Sequence, residues 1–241
     1  MEPKSIIIVV LVLLLLYIII RTVTYPSGLT SKTDAKTLQT ISADDLESGD
    51  TASVNFSYSI WFYVDDWNYK YGQAKVIFGR LDMNKKPCPT IVLAPTQNNI
   101  NVSLTVYPNS NSSSEIIHSC GVHNIPIQKW VNAIISVNNR SLDIYIDGKL
   151  VRTCVLDNVP GKLQTLNTDL VMPGSGDSVN PSFKGYTSNF KYIPSAVNPR
   201  EAYAIYREGF GSGNWLSGMF NRYRIKMSFL EDNVEVNSFE L

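Results

Sequence analysis

Three kinds of residue cluster in this chain have compositions suited to chemistry. Adjacent carboxylates occur as Asp44-Asp45, Asp65-Asp66 and Glu231-Asp232. Successive side chains of a strand point to opposite faces, so neighbouring acids diverge and cannot flank one bond as a catalytic pair. Their turn and linker contexts fit solvated, turn-forming acids. His118-x-Cys120-x-x-His123 has a zinc-like spacing, but a zinc site needs three or four convergent ligands and this run has no fourth. It reads as a strand end with ordinary histidines. Asp65, Asp66 and Asp177 fall in predicted loops and carry the hard oxygens that calcium takes. No complete ligand set is legible, so no metal or other cofactor is assigned. Trp67, Tyr69 and Tyr71, interleaved with Asp65, Asp66 and Asn68, have the composition of a carbohydrate-stacking surface. The competing use of such large rings is to cap the end of a core. Gly174-Ser175-Gly176 and the glycines from Gly209 to Gly213 read as turns; neither a phosphate loop nor a nucleophile elbow occurs.

Three cysteines, Cys88, Cys120 and Cys154, allow one intramolecular pair. Cys120 precedes the predicted strand at Trp130, and Cys154 ends the return strand of a predicted hairpin. Neighbouring strands bring such positions within the ~4.4–6.8 Å Cα separation of a bridge, so Cys120–Cys154 is the expected pair. Asn-x-Ser sequons begin at Asn55, Asn101, Asn111 and Asn139. Asn111 and Asn139 lie in predicted loops and are the candidates for glycans if the domain enters a secretory lumen.

The elements that position these residues are mostly short strands. Residues 54–64 (VNFSYSIWFYV) alternate with period two, as a half-buried strand does. Residues 75–80, 90–93 and 100–107 are further strand candidates, and 107–115 (YPNSNSSSE) is a loop. From Trp130, Val131, Ala133, Ile135 and Val137 share one face. Asn138 to Ser141 turns the chain. Leu142, Ile144 and Ile146 then alternate toward Asp147-Gly148, a type I′ hairpin dipeptide. Lys149 to Val155 returns. One short helix is specified by Asn198 as N-cap, Pro199 at N1, Glu201 at N3 and Gly209 past its end. Residues 223–230 and 234–241 read as a closing hairpin. Many strands, one helix and regular turns predict an all-β, two-sheet antiparallel sandwich.

Ahead of it runs the apolar stretch Ile6–Ile20, flanked by Lys4 and Arg21. As a helix, extended slightly at both ends, it approaches the ~30 Å hydrocarbon thickness of a bilayer. A cleaved signal peptide is the rival reading. Its apolar core is usually about 7–15 residues and is followed by a small-residue cleavage site. Here Arg21-Thr22-Val23-Thr24-Tyr25-Pro26 follows, without an Ala-x-Ala pattern. The run is therefore read as a single transmembrane helix contacting lipid through residues 6–20, with Lys4 and Arg21 at its ends. Positive charges on both sides leave the orientation open. The expected organisation is an anchor at 1–21, a polar stalk at 22–50 and a sandwich domain at 51–241. Lys+Arg and Asp+Glu are both 21, so no basic surface suggests nucleic-acid binding.

Three ordered segments resemble the laminin-G-like, concanavalin-A-like lectin/glucanase jelly roll: Tyr58–Val64, Trp130–Val151 with its Tyr145-Ile146-Asp147-Gly148-Lys149, and Phe183–Tyr192 followed by the helix at Pro199. The glucanase members of that fold use a Glu-x-Asp-x-x-Glu run, which this chain lacks, so the resemblance implies a non-enzymatic member. A narrower likeness, carried by Asn124–Asn132, Leu150–Leu156 and Gly185–Tyr192, is to membrane-anchored versions encoded by large nucleocytoplasmic DNA viruses. It implies a structural or interaction component, a minor capsid or virion membrane protein linking an inner membrane to the capsid through other virion proteins. The alternative is a membrane-anchored lectin-like adhesion module at a cell surface or secretory membrane. A glycoside hydrolase is the least favoured.

Overall fold

The computed structural model describes residues 13–17, 28–46, 55–108, 114–160, 168–176, 181–211, 226–231 and 234–240. The chain divides into two units: Gly28–Phe210, and Met1–Ser27 with Gly211–Leu241.

The larger unit is an antiparallel sandwich of two six-stranded sheets. The strands are β1 (Thr33–Asp34), β2 (Gln39–Ile41), β3 (Phe56–Asp66), β4 (Lys75–Leu81), β5 (Pro87–Leu93), β6 (Ile100–Val106), β7 (Ile116–Val122), β8 (Trp130–Asn138), β9 (Ser141–Ile146), β10 (Lys149–Val155), β11 (Leu170–Met172) and β12 (Lys184–Ile193). The first sheet runs β1-β12-β3-β8-β9-β10 and the second β2-β11-β4-β5-β6-β7. Alternation builds the core between them. Ile60, Phe62 and Val64 of β3 and Val131, Ala133, Ile135 and Val137 of β8 meet Ile91, Leu93, Val102 and Leu104 from the second sheet. Each of these side chains other than Ala133 contributes about 1.5–3 kcal/mol by leaving water.

The helix α1 (Pro199–Glu208) has the expected capping box. The Asn198 side chain accepts from the N–H groups of Arg200 and Glu201, and Glu201 accepts from Asn198 N–H. It covers part of the outer face of the first sheet, where Ile134, Tyr145, Val197 and Ala202 form a second, smaller core. Its middle crosses the β9–β10 turn. A Cβ placed on Gly148 would lie 3.0 Å from Tyr203 Cα and 3.0 Å from Tyr206 Cβ.

Two expectations about domain limits change. Much of the predicted stalk, residues 22–50, belongs to the sandwich: β1 and β2 lie in it, followed by a 3-10 turn at Ala43–Leu46, and Ala35, Ile41 and Leu46 are buried. Isolated apolar residues in a Ser/Thr/Asp-rich stretch pin it to the core without any run of alternation. The closing hairpin forms, as β13 (Lys226–Glu231) and β14 (Val234–Glu240), but as a separate two-stranded sheet rather than part of the sandwich. Of the expected anchor, residues 13–17 form a helical turn with Leu13–Leu16 exposed; the remainder, with Lys4 and Arg21, lies outside the described residues. Among the described residues no helix is long and apolar enough to cross a membrane.

Candidate binding surface

The outer face of the first sheet carries a row of aromatic rings across three adjacent strands. The residues alternating with the inward Phe62 and Val64 on β3 are Trp61 and Tyr63. Antiparallel register sets Tyr63 opposite Trp130 of β8 on one side and opposite Tyr186 of β12 on the other. Directly paired residues share a face and touch. The ring centroids of Tyr63 and Trp130 are 5.8 Å apart, and those of Tyr63 and Tyr186 are 6.3 Å apart. Phe210, just beyond the helix, stacks on Trp130 at 4.4 Å and 7°. Tyr206 stacks on Trp61 at 5.5 Å. Trp61 is thereby buried, whereas Tyr63 and Trp130 are half-buried and Tyr186 is 39% exposed.

Charged groups border this row. The Lys32 ammonium stands 4.7 Å from the Tyr186 centroid and 6.0 Å from that of Trp130, within cation–π range. Lys129 pairs with Asp147 at 3.4 Å. The other oxygen of Asp147 accepts from Asn132 N–H at 3.0 Å, which ties the hairpin tip to β8. The row thus joins the half-buried Tyr63 and Trp130 to the exposed Tyr186, with ammonium and carboxylate groups along its border.

The sequence-predicted aromatics lie elsewhere and are not assembled into one surface. Trp67 is half-buried against the main core, in the capping role. The buried Lys75 donates to the carbonyls of Trp67 and Tyr69, both at 3.1 Å, and its ammonium lies 4.6 Å from the Trp67 centroid. Burial pushes the Lys75 pKa down, and Asp66 opposes that shift. The Asp66 carboxyl is in turn held below its usual range, first by the Asn68 N–H and then by Lys184. Tyr69 is half-buried and Tyr71 is 59% exposed. Among the described residues no ring contact joins Trp67, Tyr69 and Tyr71. The signal for the actual row was present in β3, β8 and β12 as outward Tyr63, Trp130 and Tyr186, but only the register reveals that they align.

Cys120 and Cys154 form a disulfide, with a Cα–Cα distance of 6.3 Å, joining β7 to β10. Cys88 is free and buried, and burial pushes its thiol pKa up to about 11. With Cys120 oxidised, the histidines around it hold no cluster; among the described residues no group of three metal-binding side chains converges. Asn139 sits exposed at the β8–β9 turn with φ of 54°, its N–H donated to Asn55. Asn111 and Asp177 lie outside the described residues. Asp65 is exposed at the end of β3.

A family model described as the concanavalin A-like lectin/glucanases superfamily, of laminin G type, matches residues 36–203. The chain belongs to that superfamily. No curated protein matches this lectin/glucanase-type chain. Among solved structures, the receptor binding domain of botulinum neurotoxin D is similar at 14% identity and a TM-score of 0.55, over 78% of this chain and 48% of that one. The binding domain of botulinum neurotoxin serotype D/C VPI 5993 is similar at 14% identity and a TM-score of 0.50, over 75% of this chain and 46% of that one. The superfamily member described here thus spans about half the length of those binding domains, and at such identities the likeness is one of fold.

Proposed function

We propose that the chain is a non-enzymatic, membrane-anchored binding module whose working surface is the Tyr186–Tyr63–Trp130 row and whose ligand is carbohydrate. The observation that carries this reading is the row itself: three cross-strand partners keep partly open rings on the outer face and stand outside the second core beneath α1. Exposed aromatic area of this kind is unfavourable in water unless something covers it. The sugar's C–H face would lie on the rings while Lys32, Lys129 and Asp147 meet its hydroxyls. Absence of the Glu-x-Asp-x-x-Glu run supports binding without hydrolysis. The apolar run Ile6–Ile20 supports display at a membrane.

The test is a glycan array probed with the full chain in lipid nanodiscs. Specific binding that falls on both Trp130→Ala and Tyr186→Ala, but survives Trp67→Ala, is the expected result. Tyr186 is exposed enough that its replacement preserves the fold, so retained binding in Tyr186→Ala, or no binding by the parent chain, overturns the reading. The second reading is a structural component of a large DNA virus particle, linking its inner membrane to the capsid. It rests on the anchor and on the likeness of Asn124–Asn132, Leu150–Leu156 and Gly185–Tyr192 to such proteins. Immunogold labelling of purified particles tests it.

A further inference from the structure

A cleft of about 230 Å³ opens beside the disulfide, and none of the row's aromatic rings lines it. Its walls come from both sheets: Val122 at the end of β7, His123 and Ile125 of the β7–β8 loop, Ile146 at the end of β9, and Val151 and Arg152 of β10. Four of these six are aliphatic. The other two are cationic or protonatable, and no carboxylate lines the cleft. Among the described residues neither the His123 nor the Arg152 side chain has a hydrogen-bond or ion-pair partner. Val151 faces the cleft because β10 slips register between Leu150 and Arg152, the local bend a bulge imposes.

The walls are held in place. The loop is fastened by Ile125 N–H to Asn98 O at 2.6 Å, Asn98 Nδ2 to Ile125 O at 3.1 Å, and Asn124 N–H to Asn99 at 3.1 Å. The Cys120–Cys154 bridge fixes β7 against β10 next to it. A rigid cavity loses little entropy on filling. The volume is below the ~300–1,000 Å³ of pockets for drug-sized ligands, which limits the occupant to a single ring or a short branched chain.

We propose that this cleft is a binding site for a small organic carboxylate with an apolar body. The aliphatic walls would take the body, and the Arg152 guanidinium, whose paired N–H groups match a carboxylate, would take the anion with His123 beside it. The full chain in lipid nanodiscs tests this by saturation-transfer NMR, with cyclohexanecarboxylate and cyclohexanecarboxamide as probes and empty nanodiscs as the blank. The expected result is saturation transfer to the carboxylate and about tenfold weaker binding of the amide, the loss of one charge-assisted contact. Arg152→Gln should weaken the carboxylate about tenfold, and Val151→Asp should abolish its binding. Both positions are exposed, and an unchanged melting temperature verifies the fold. No transfer to the parent chain, equal binding of acid and amide, or carboxylate binding retained in Val151→Asp each overturns the proposal.

Discussion

Gly148→Ala tests the packing of α1 across the β9–β10 turn. Gly148 has φ of 73°, a left-handed conformation that costs a non-glycine residue about 1–2 kcal/mol. Part of that is offset, by roughly 0.4–1 kcal/mol, because alanine has fewer unfolded conformations to lose. The added methyl would also stand 3.0 Å from Tyr203 Cα and Tyr206 Cβ and 3.2 Å from Tyr203 Cδ2. One of the two nearest is helix backbone, so the helix must move, and overpacking of this kind costs about 1–3 kcal/mol. The sum is a destabilisation of about 1–4.6 kcal/mol, or roughly 2–18 °C in melting temperature for a domain of this size. Gly72→Ala is the matched control: φ is 82° and a Cβ there meets nothing within 4 Å, so only the backbone cost of about 1 kcal/mol remains. Urea melts of both variants, followed by near-ultraviolet circular dichroism, measure the difference. If the two variants lose equal stability, the helix does not press on the turn and the reasoning fails.

Reducing the Cys120–Cys154 bridge should lower stability by about 3–4 kcal/mol on the chain-entropy account, given its separation of 34 residues; urea melts with and without reductant give the value. Cys88, with its thiol pKa pushed up to about 11, stays protonated at pH 8. A thiol reagent should therefore find no fast site in the native protein and one after denaturation. Lys75→Met should cost about 1–3 kcal/mol by orphaning the carbonyls of Trp67 and Tyr69, visible as altered Trp fluorescence and a lower urea midpoint. Because burial lowers the Lys75 pKa in the fold, the unfolded chain binds more protons at this site between the folded value and 10.5. Its contribution to stability therefore rises with pH through that window and levels off above 10.5, a slope that Lys75→Met should remove. Asp147→Asn should be nearly neutral in thermal melts, since it weakens one ion pair to the 56%-exposed Lys129 side chain while an amide oxygen still accepts from Asn132.

Local pattern carried much of the fold. β3, β8, β9 and β10 were legible because their alternation is long, and α1 because Asn198, Pro199 and Glu201 act within one turn of chain. β1 and β2 were not, since two or three residues cannot display a period; only their contacts with β12 and β11 make them strands. The candidate binding surface divides the same way. Trp67, Tyr69 and Tyr71 drew attention by being close in sequence, yet Lys75 and the core engage that loop. Tyr63, Trp130 and Tyr186 are far apart in sequence and become neighbours only through cross-strand pairing.

The placement of the disulfide has a consequence for how this molecule meets others. An open sheet normally ends in a strand whose free N–H and C=O groups can template another chain. Here β10 and β7, the last strands of the two sheets, are bridged to each other by Cys120–Cys154. β10 is further interrupted by its register slip and carries Lys149 and Arg152. At the opposite margins, β1 and β2 are too short to guide a partner strand. Backbone-mediated addition of a strand, and the fibrous self-association that follows from it, is therefore discouraged on all four margins. In a binding module of the proposed kind, recognition would fall to side chains on the faces and in the cleft, so variation at a few such positions would retarget it without reshaping its scaffold.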